Sequence, residues 1–269
     1  MQDLEYCRAR SVPQALGWLR DGVDSKLLAG GQTLLGAMKL GLAAPQRLID
    51  LGGIAELTRG SELGNGEHAF GAMQTHASLA QDPWLRSKLP GLAQLAGHIA
   101  DQQVRNMGTL GGSLANDDPA ACWPAGVLAL GAMLRTDRRQ IAADQFFTGL
   151  FSTTLEPDEV LCGVQLARPR RMAYLKFEQP ASRFALVGAA VAQFDDGVRV
   201  ALTGTAQGAV RLPDFERALQ RRFAPDAVAG LRVEAALMSS DLHAAADYRA
   251  HLAGVLVARA VQRALELAP

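Results

Sequence analysis

Two runs in this chain set paired glycines beside hydroxyl and amide side chains, just ahead of a helix-like segment. They are Leu27-Leu28-Ala29-Gly30-Gly31-Gln32-Thr33-Leu34 and Asn106-Met107-Gly108-Thr109-Leu110-Gly111-Gly112-Ser113-Leu114-Ala115-Asn116-Asp117-Asp118-Pro119-Ala120. Glycine lets the backbone enter positive φ and lets amides approach a ligand with no Cβ in the way. Successive N–H groups at the start of a helix suit phosphate or pyrophosphate. Taken alone, the first run is better explained by a tight strand-to-helix turn with no ligand. The two together suit a long, doubly phosphorylated ligand gripped from two sides.

Two named phosphate motifs nearly fit and fail. Gly31 to Gly36 has Walker-A glycine spacing, but Ala37 and Met38 stand where Lys and Ser or Thr are required, which disfavours nucleotide hydrolysis. No G-x-G-x-x-G follows a predicted strand, which argues against a Rossmann site. Other chemistries lack their residues as well. Cys7, Cys122 and Cys162 are scattered and form no CxxC pair, so neither a disulfide framework nor a thiolate metal site is expected. His68, His76, His98, His243 and His251 show no metal spacing, and His76 reads as a polar residue at a helix start. No residue stands out as a general base or nucleophile.

Charge excludes another class. With 27 basic and 27 acidic side chains the chain is neutral, which removes the simplest argument for nucleic acid or an anionic membrane. Only Lys26, Lys39, Lys88 and Lys176 are lysines; the remaining cations are Arg, better suited to ion pairs and interfaces than to proton transfer. The opening residues carry acids and no apolar run, and Pro124–Leu134 is too short to span a bilayer. A soluble, cytoplasmic protein without a transmembrane segment is the expectation.

The 269 residues divide by texture. The first fifty alternate strand and helix signals, with Ser11 capping a helix ahead of Pro13, strands at Lys26–Ala29 and Arg47–Leu51, and a helix at Leu34–Leu40. A second segment carries a strand Glu67–Gly71 after Gly64-Asn65-Gly66, helices at Thr75–Ala80 and Gly91–Ala100, the glycine-rich loop Gly108–Asn116, an apolar helix Ala120–Met133, and strands Arg139–Ala142 and Val160–Leu166. Asp118 reads either as the cap of that apolar helix, with Pro119 at its first position, or as a partner for a ligand hydroxyl. The last hundred residues read as a three-stranded antiparallel sheet, Tyr174–Phe177, Leu186–Phe194 and Val198–Gly208, with Asp195-Asp196-Gly197 as a hairpin turn. Helices Pro213–Arg222, Pro225–Ala236 and Tyr248–Leu267 follow. The expected units are 1–60, 61–168 and 169–269, with the last boundary at the basic, Pro-containing segment 169–171.

Three segments carry a resemblance to a known family: AGGQTLLGAMKLGLAAPQRLIDL (Ala29–Leu51), QVRNMGTLGGSLANDDPAACWPA (Gln103–Ala125) and KFEQPASRFALVGAAVA (Lys176–Ala192). In this order and spacing the chain resembles the FAD-binding medium subunit of the molybdenum hydroxylases, the carbon monoxide dehydrogenase/xanthine dehydrogenase type. The resemblance implies an α+β fold of the PCMH/VAO type (p-cresol methylhydroxylase/vanillyl-alcohol oxidase), with FAD between two N-terminal subdomains and a C-terminal domain of sheet and helices. It implies that Leu27, Leu28, Ala29, Gly30, Gly31, Gln32, Thr33 and Leu34 form one diphosphate loop and Thr109, Leu110, Gly111, Gly112 and Ser113 the other. It places Asp118 near the ribose or ribityl chain, Ile99 and Leu161 against the flavin, and Lys176 towards the ring. Where many relatives carry an acid after DPAA, this chain has Cys122, so Asp118 or Asn116 is left to bind a hydroxyl.

The implied function is electron transfer. A molybdopterin-binding large subunit oxidises substrate, and a small subunit passes the electrons through two 2Fe-2S clusters to this FAD and then to an external acceptor. The assembly is a heterotrimer or an (αβγ)2 heterohexamer. The alternative is a self-sufficient flavin oxidase of the same fold.

Overall fold

A computed structural model describes residues 4–64 and 66–267; Asn65 of the expected Gly-Asn-Gly turn lies outside the described residues. The first unit runs β1 (Glu5–Arg8), α1 (Val12–Leu19), β2 (Ser25–Leu28), α2 (Leu34–Lys39) and β3 (Arg47–Asp50). Its three strands are parallel in the order β1-β3-β2, so β3 lies between the other two. Strand and helix alternate as expected, with one more strand, β1, ahead of α1. Ser11 caps α1 as its sequence position suggests, its Oγ accepting from the Gln14 N–H at 3.3 Å, with Pro13 in the first turn. Arg47 ties the sheet to the loop after α1: its guanidinium is held by Glu5 at 2.6 Å, Asp21 at 2.5 Å and the Trp18 carbonyl. Arg47→Met leaves two half-exposed acids without their cation. We expect a lower urea midpoint, with a smaller drop than removal of one partner of a fully buried pair would give.

The second unit opens with β4 (Gly60–Glu62) and β5 (His68–Gly71) and continues with a helical stretch. That stretch comprises α3 (His76–Gln81), α4 (Pro83–Lys88), α5 (Pro90–Gly97), α6 (Gln102–Met107), α7 (Leu110–Asn116) and α8 (Cys122–Ala129). It closes with β6 (Met133–Thr136), β7 (Gln140–Ala142), α9 (Ala143–Phe146), β8 (Phe147–Gly149), β9 (Ser152–Thr153) and β10 (Leu161–Leu166). The main sheet is β4-β5-β10-β6-β7, antiparallel, and β8 pairs with β9 as a separate hairpin. All eight residues of α8 are buried, as expected of a helix that is apolar on every side. It packs on α5 and on the C-terminal sheet, so one helix is core to both halves. The apolar run expected to be helical as far as Met133 ends earlier, because Gly131 (φ +58°) turns the chain into β6.

The third unit is a four-stranded antiparallel sheet, β11 (Arg171–Glu178), β12 (Ala185–Gln193), β13 (Val198–Thr205) and β14 (Gly208–Arg211), with α10 (Pro213–Arg221) and α11 (Ala246–Glu266). The turn at Asp195-Asp196-Gly197 forms as expected, closed by the Phe194 N–H on the Gly197 carbonyl. The stretch expected as one strand, Val198–Gly208, makes β13 and the start of β14. Gly204 and Gly208 both sit at φ +88°, and the Thr205 hydroxyl donates to the Gly208 carbonyl, so the chain reverses there. The helix expected over Pro225–Ala236 does not form. Two short 3-10 turns, Pro225–Val228 and Ala235–Leu237, stand in its place. Gly230 interrupts them, and the Leu237 carbonyl and Met238 backbone are drawn into pairing beside the end of β13. Among the described residues no helix is long and apolar enough to cross a membrane.

Candidate functional site

The two glycine pairs, about eighty positions apart in sequence, meet in space. Between β2 and α2 the chain turns through Ala29, Gly30, Gly31, Gln32 and Thr33, with Gly31 in the left-handed region at φ +71°. Gly30 lies flat on the backbone before the second pair. A methyl group added there would stand 2.2 Å from the Met107 carbonyl oxygen and 2.8 Å from the Gly108 Cα. On the same seam the position of a Cβ on Gly112 is 3.5 Å from the Ala29 Cβ. Gly30 is required by close approach of backbone to backbone, whereas a methyl on Gly112 would press on the Thr109 hydroxyl at 2.8 Å.

The two elements differ in what they offer. The backbone N–H groups of Gly30, Gly31, Gln32 and Thr33 donate to no acceptor among the described residues, and Gln32 and Thr33 are exposed. Four consecutive free donors and a hydroxyl are groups that can bind an anion. The second element was expected as a loop and is instead the start of α7. Thr109 caps it, its Oγ1 accepting from the Gly112 N–H at 3.1 Å. Gly111 donates to the Ala72 carbonyl at 2.7 Å and Leu110 to the Gln74 carbonyl at 3.0 Å. Its amides are therefore largely spent inside the protein, and Thr109, Leu110 and Gly111 are buried. Of this run Gly112 and Ser113 are partly exposed beside the first loop, and the Ser113 hydroxyl has no partner among the described residues.

The helix-cap reading of Asp118 does not hold. α8 begins at Cys122, and the Asp118 carboxylate accepts instead from the Ala120 N–H at 2.8 Å. The cause lies far along the chain: the Thr203 hydroxyl reaches the carbonyls of Pro119 and Ala121, each at 2.7 Å, and the Gly204 N–H donates to Pro119 as well. These bonds fix 118–121 against β13 as a separate turn, closed by the Ala121 N–H on the Asp118 carbonyl at 2.9 Å, so the helix starts only after it. Burial raises the Asp118 pKa above the ordinary carboxylate value, against the pull of that Ala120 bond. Asn116 lies partly buried at the end of α7.

Ile99 and Lys176 come together through Arg183. The Lys176 side chain is only 4% exposed, pairs with Glu178 at 3.5 Å and donates to the Arg183 carbonyl. The Arg183 guanidinium reaches back to the Ala100 carbonyl at 3.3 Å, while Arg105 donates to the carbonyls of both Ile99 and Ala100. Ala100 and Arg183 are both non-glycine residues at positive φ, 43° and 60°. Such backbone clusters at functional sites. Leu161 opens β10 on the other side of α7, buried; the neighbouring Cys162 carbonyl bonds the Ala72 N–H, whose own carbonyl holds Gly111. Cys122 is buried, and desolvation pushes its thiol pKa up despite the nearby Lys176 charge and the Tyr174 hydroxyl. The Cys162 thiol is pushed up to about 11, chiefly by burial. Neither thiol is poised to act as a nucleophile. Among the described residues no cluster of His, Cys, Asp or Glu could hold a metal.

Two known families match the sequence. Residues 2–169 match the family "FAD binding domain in molybdopterin dehydrogenase", and residues 172–264 match "CO dehydrogenase flavoprotein C-terminal domain". The chain belongs to the FAD-binding medium subunits of the molybdenum hydroxylases. It is 37% identical to the nicotine 6-hydroxylase medium subunit of Paenarthrobacter nicotinovorans, over 97% of each chain. It is 36% identical to the carbon monoxide dehydrogenase medium chain of Hydrogenophaga pseudoflava, over 97% of this chain and 96% of the other. Carbon monoxide dehydrogenase from that organism superposes with a TM-score of 0.89 at 35% identity, covering 99% of this chain and 98% of that one. Quinoline 2-oxidoreductase from Pseudomonas putida 86 gives 0.88 at 30% identity, covering 98% of both. As a member of this family the chain is a flavoprotein and a subunit of an oxidoreductase. FAD fits the donors described above: free amides and a hydroxyl at the first loop for a diphosphate, with polar side chains bordering it.

Proposed function

We propose that the chain is the electron-transfer subunit of its complex, holding FAD that receives electrons from two 2Fe-2S clusters on a small subunit and delivers them to an external acceptor. FAD, when bound, supplies redox chemistry in one- or two-electron steps, which no side chain here can provide. The single observation that carries this reading is the row of free amides from Gly30 to Thr33, set against Gly108 and Gly112, with no metal cluster among the described residues. In this reading residues 27–34 bind the diphosphate through backbone N–H groups, and Ser113 adds a hydroxyl from the second element. Thr109, Leu110 and Gly111 support that element from within. Asp118 and Asn116 border the ribose or ribityl chain, while Ile99, Leu161 and Lys176 bound the ring.

Substrate would be oxidised on a molybdopterin-binding large subunit, within a cytoplasmic heterotrimer or (αβγ)2 heterohexamer. The proposed division at 1–60, 61–168 and 169–269 puts one main sheet in each unit, apart from Gly60, which opens β4. Two measurements test the relay. The purified complex should carry one FAD per medium chain, released by acid into the supernatant, and substrate should bleach it only when all three subunits are present. Flavin that stays with the denatured chain, or bleaching of the isolated chain by the substrate, would overturn the relay in favour of a self-sufficient oxidase.

A further inference from the structure

We propose that His76 is a positioning residue for the cofactor loops: a permanently neutral imidazole, fixed by Trp123, whose edge sets the place of Gly108 and through it of Gly30. This rests on the FAD reading of those loops. His76 is the first residue of α3, just after the Thr75 cap, and is 5% exposed. The Trp123 indole N–H bonds its Nδ1 at 3.0 Å. An indole nitrogen can only donate, so Nδ1 must accept and the ring proton sits on Nε2. That Nε2 faces Gly108, where an added methyl group would stand 2.8 Å from it. The His76 backbone N–H also holds the Gly108 carbonyl, at 2.9 Å.

The other face of the same backbone meets Gly30. Imidazole, Gly108 and Gly30 therefore form three stacked layers, with buried Trp123 behind the imidazole and the free amides of the first loop in front. The stack works only with a neutral ring. A proton on Nδ1 would confront the indole N–H and place a charge in an apolar pocket beside Arg105 of α6. The neighbouring α5, α7 and α8 carry no charged residue to offset it. Burial first and the Arg105 charge second accordingly push the His76 pKa down to about 4.

Removing only the indole N–H should expose this role. Trp123→Phe keeps an aromatic ring in the core and frees Nδ1 to take a proton, and its flavin release is read relative to its own flavin content at pH 8. On acidification it should release FAD with a midpoint at least one pH unit above the wild type, with unchanged far-UV circular dichroism. The double variant His76→Phe/Trp123→Phe has no imidazole to titrate, so whatever flavin it holds at pH 8 should be released without the upward shift in midpoint seen in Trp123→Phe. Superimposable profiles for Trp123→Phe and wild type, or a double variant that keeps the shifted profile, would overturn the proposal.

Nitrogen-15 NMR of the FAD-free wild-type chain provides a second measurement that needs no variant. It should show His76 protonated on Nε2 alone from pH 5.5 to 8, and a doubly protonated ring at pH 6 would be the contrary result. In FAD-free Trp123→Phe the Gly30 and Gly108 amide resonances should move with the His76 titration. Immobile amides would refute the stack. A wild-type chain that takes up no FAD while those amides still track His76 would refute the FAD reading alone.

Discussion

Gly30→Ala should empty the cofactor site. The added methyl has no space: it would stand 2.2 Å from the Met107 carbonyl oxygen, 2.8 Å from the Gly108 Cα and 2.9 Å from the Met107 carbonyl carbon, all backbone atoms that cannot rotate away. Either the loop lifts off the second element or Met107–Gly108 shifts, and both scatter the free amides at Gly30–Thr33. Gly111→Ala attacks the same seam from behind. Its methyl would meet the Ala72 Cβ at 2.5 Å and the Ala72 oxygen at 2.9 Å, displacing the hydrogen bond that seats α7. Overpacking of this kind costs about 1–3 kcal/mol in stability. Loss of amide geometry on a diphosphate should weaken FAD by about 100-fold, or about 3 kcal/mol.

Gly36→Ala is the internal control. It lies within α2 with nothing within 4 Å of the added methyl, so it should keep full flavin and gain up to about 1 kcal/mol in helix stability. Fluorescence titration of the FAD-free chains with FAD, together with thermal melting, separates the three variants. Stoichiometric flavin and an unchanged Kd in Gly30→Ala would show that the two elements are not one site.

Features encoded by neighbouring residues were legible in the sequence. Ser11 caps α1, the glycine turn follows β2, and Asp195-Asp196-Gly197 closes its hairpin, because each depends on residues a few positions apart. Features imposed from far along the chain were not. Two glycines disfavour a helix locally, yet Gly111 and Gly112 begin α7 because Thr109 caps it and Ala72 accepts its amide. Asp118 and Pro119 look like a helix start, but Thr203 and Gly204 pin 118–121 to β13 as a separate turn. The segment at 225–236 is rich in alanine, but Gly230 and the pairing of Met238 beside β13 leave it as two short turns. Lys176 illustrates the same limit: its near-complete burial depends on the Arg183 carbonyl and the α8 side of the sheet, which no local pattern displays.

Asp117 is the residue of greatest consequence that no local pattern marks, and Asp117→Asn should stabilise the protein at alkaline pH while changing little in acid. Its neighbour Asp118 suggests an exposed acidic pair, but Asp117 is 0% exposed and neither carboxyl oxygen has a hydrogen-bond partner among the described residues. It ends α7 in the left-handed region at φ 44°, a conformation that Asn tolerates as well as Asp. The β8–β9 hairpin and the start of β14 enclose it, with Phe151 bonded to its carbonyl and a methyl position on Gly208 at 3.6 Å from the carboxyl. A helix C-terminus also disfavours negative charge. Burial, and then the Asp118 charge, raise its pKa from 3.8 to about 7.

The sign follows from linkage. Below pH 4 both folded and unfolded chains carry the proton, and the site costs nothing. Between pH 4 and 7 the unfolded chain releases it while the folded chain keeps it, so stability falls as pH rises, by up to about 1.4 kcal/mol per pH unit. Above pH 7 the folded chain carries the buried charge and the full cost, about 2–4 kcal/mol, has accumulated. Asn occupies the same volume and cannot ionise. Urea unfolding of Asp117→Asn and wild type should therefore diverge with pH, with near-equal midpoints at pH 4.5 and the variant ahead by about 2–4 kcal/mol at pH 8.5. A constant difference across that range would mean that Asp117 is ionised throughout in the folded protein, with its charge balanced by a bound cation or an ordered water chain between α7 and the β8–β9 hairpin.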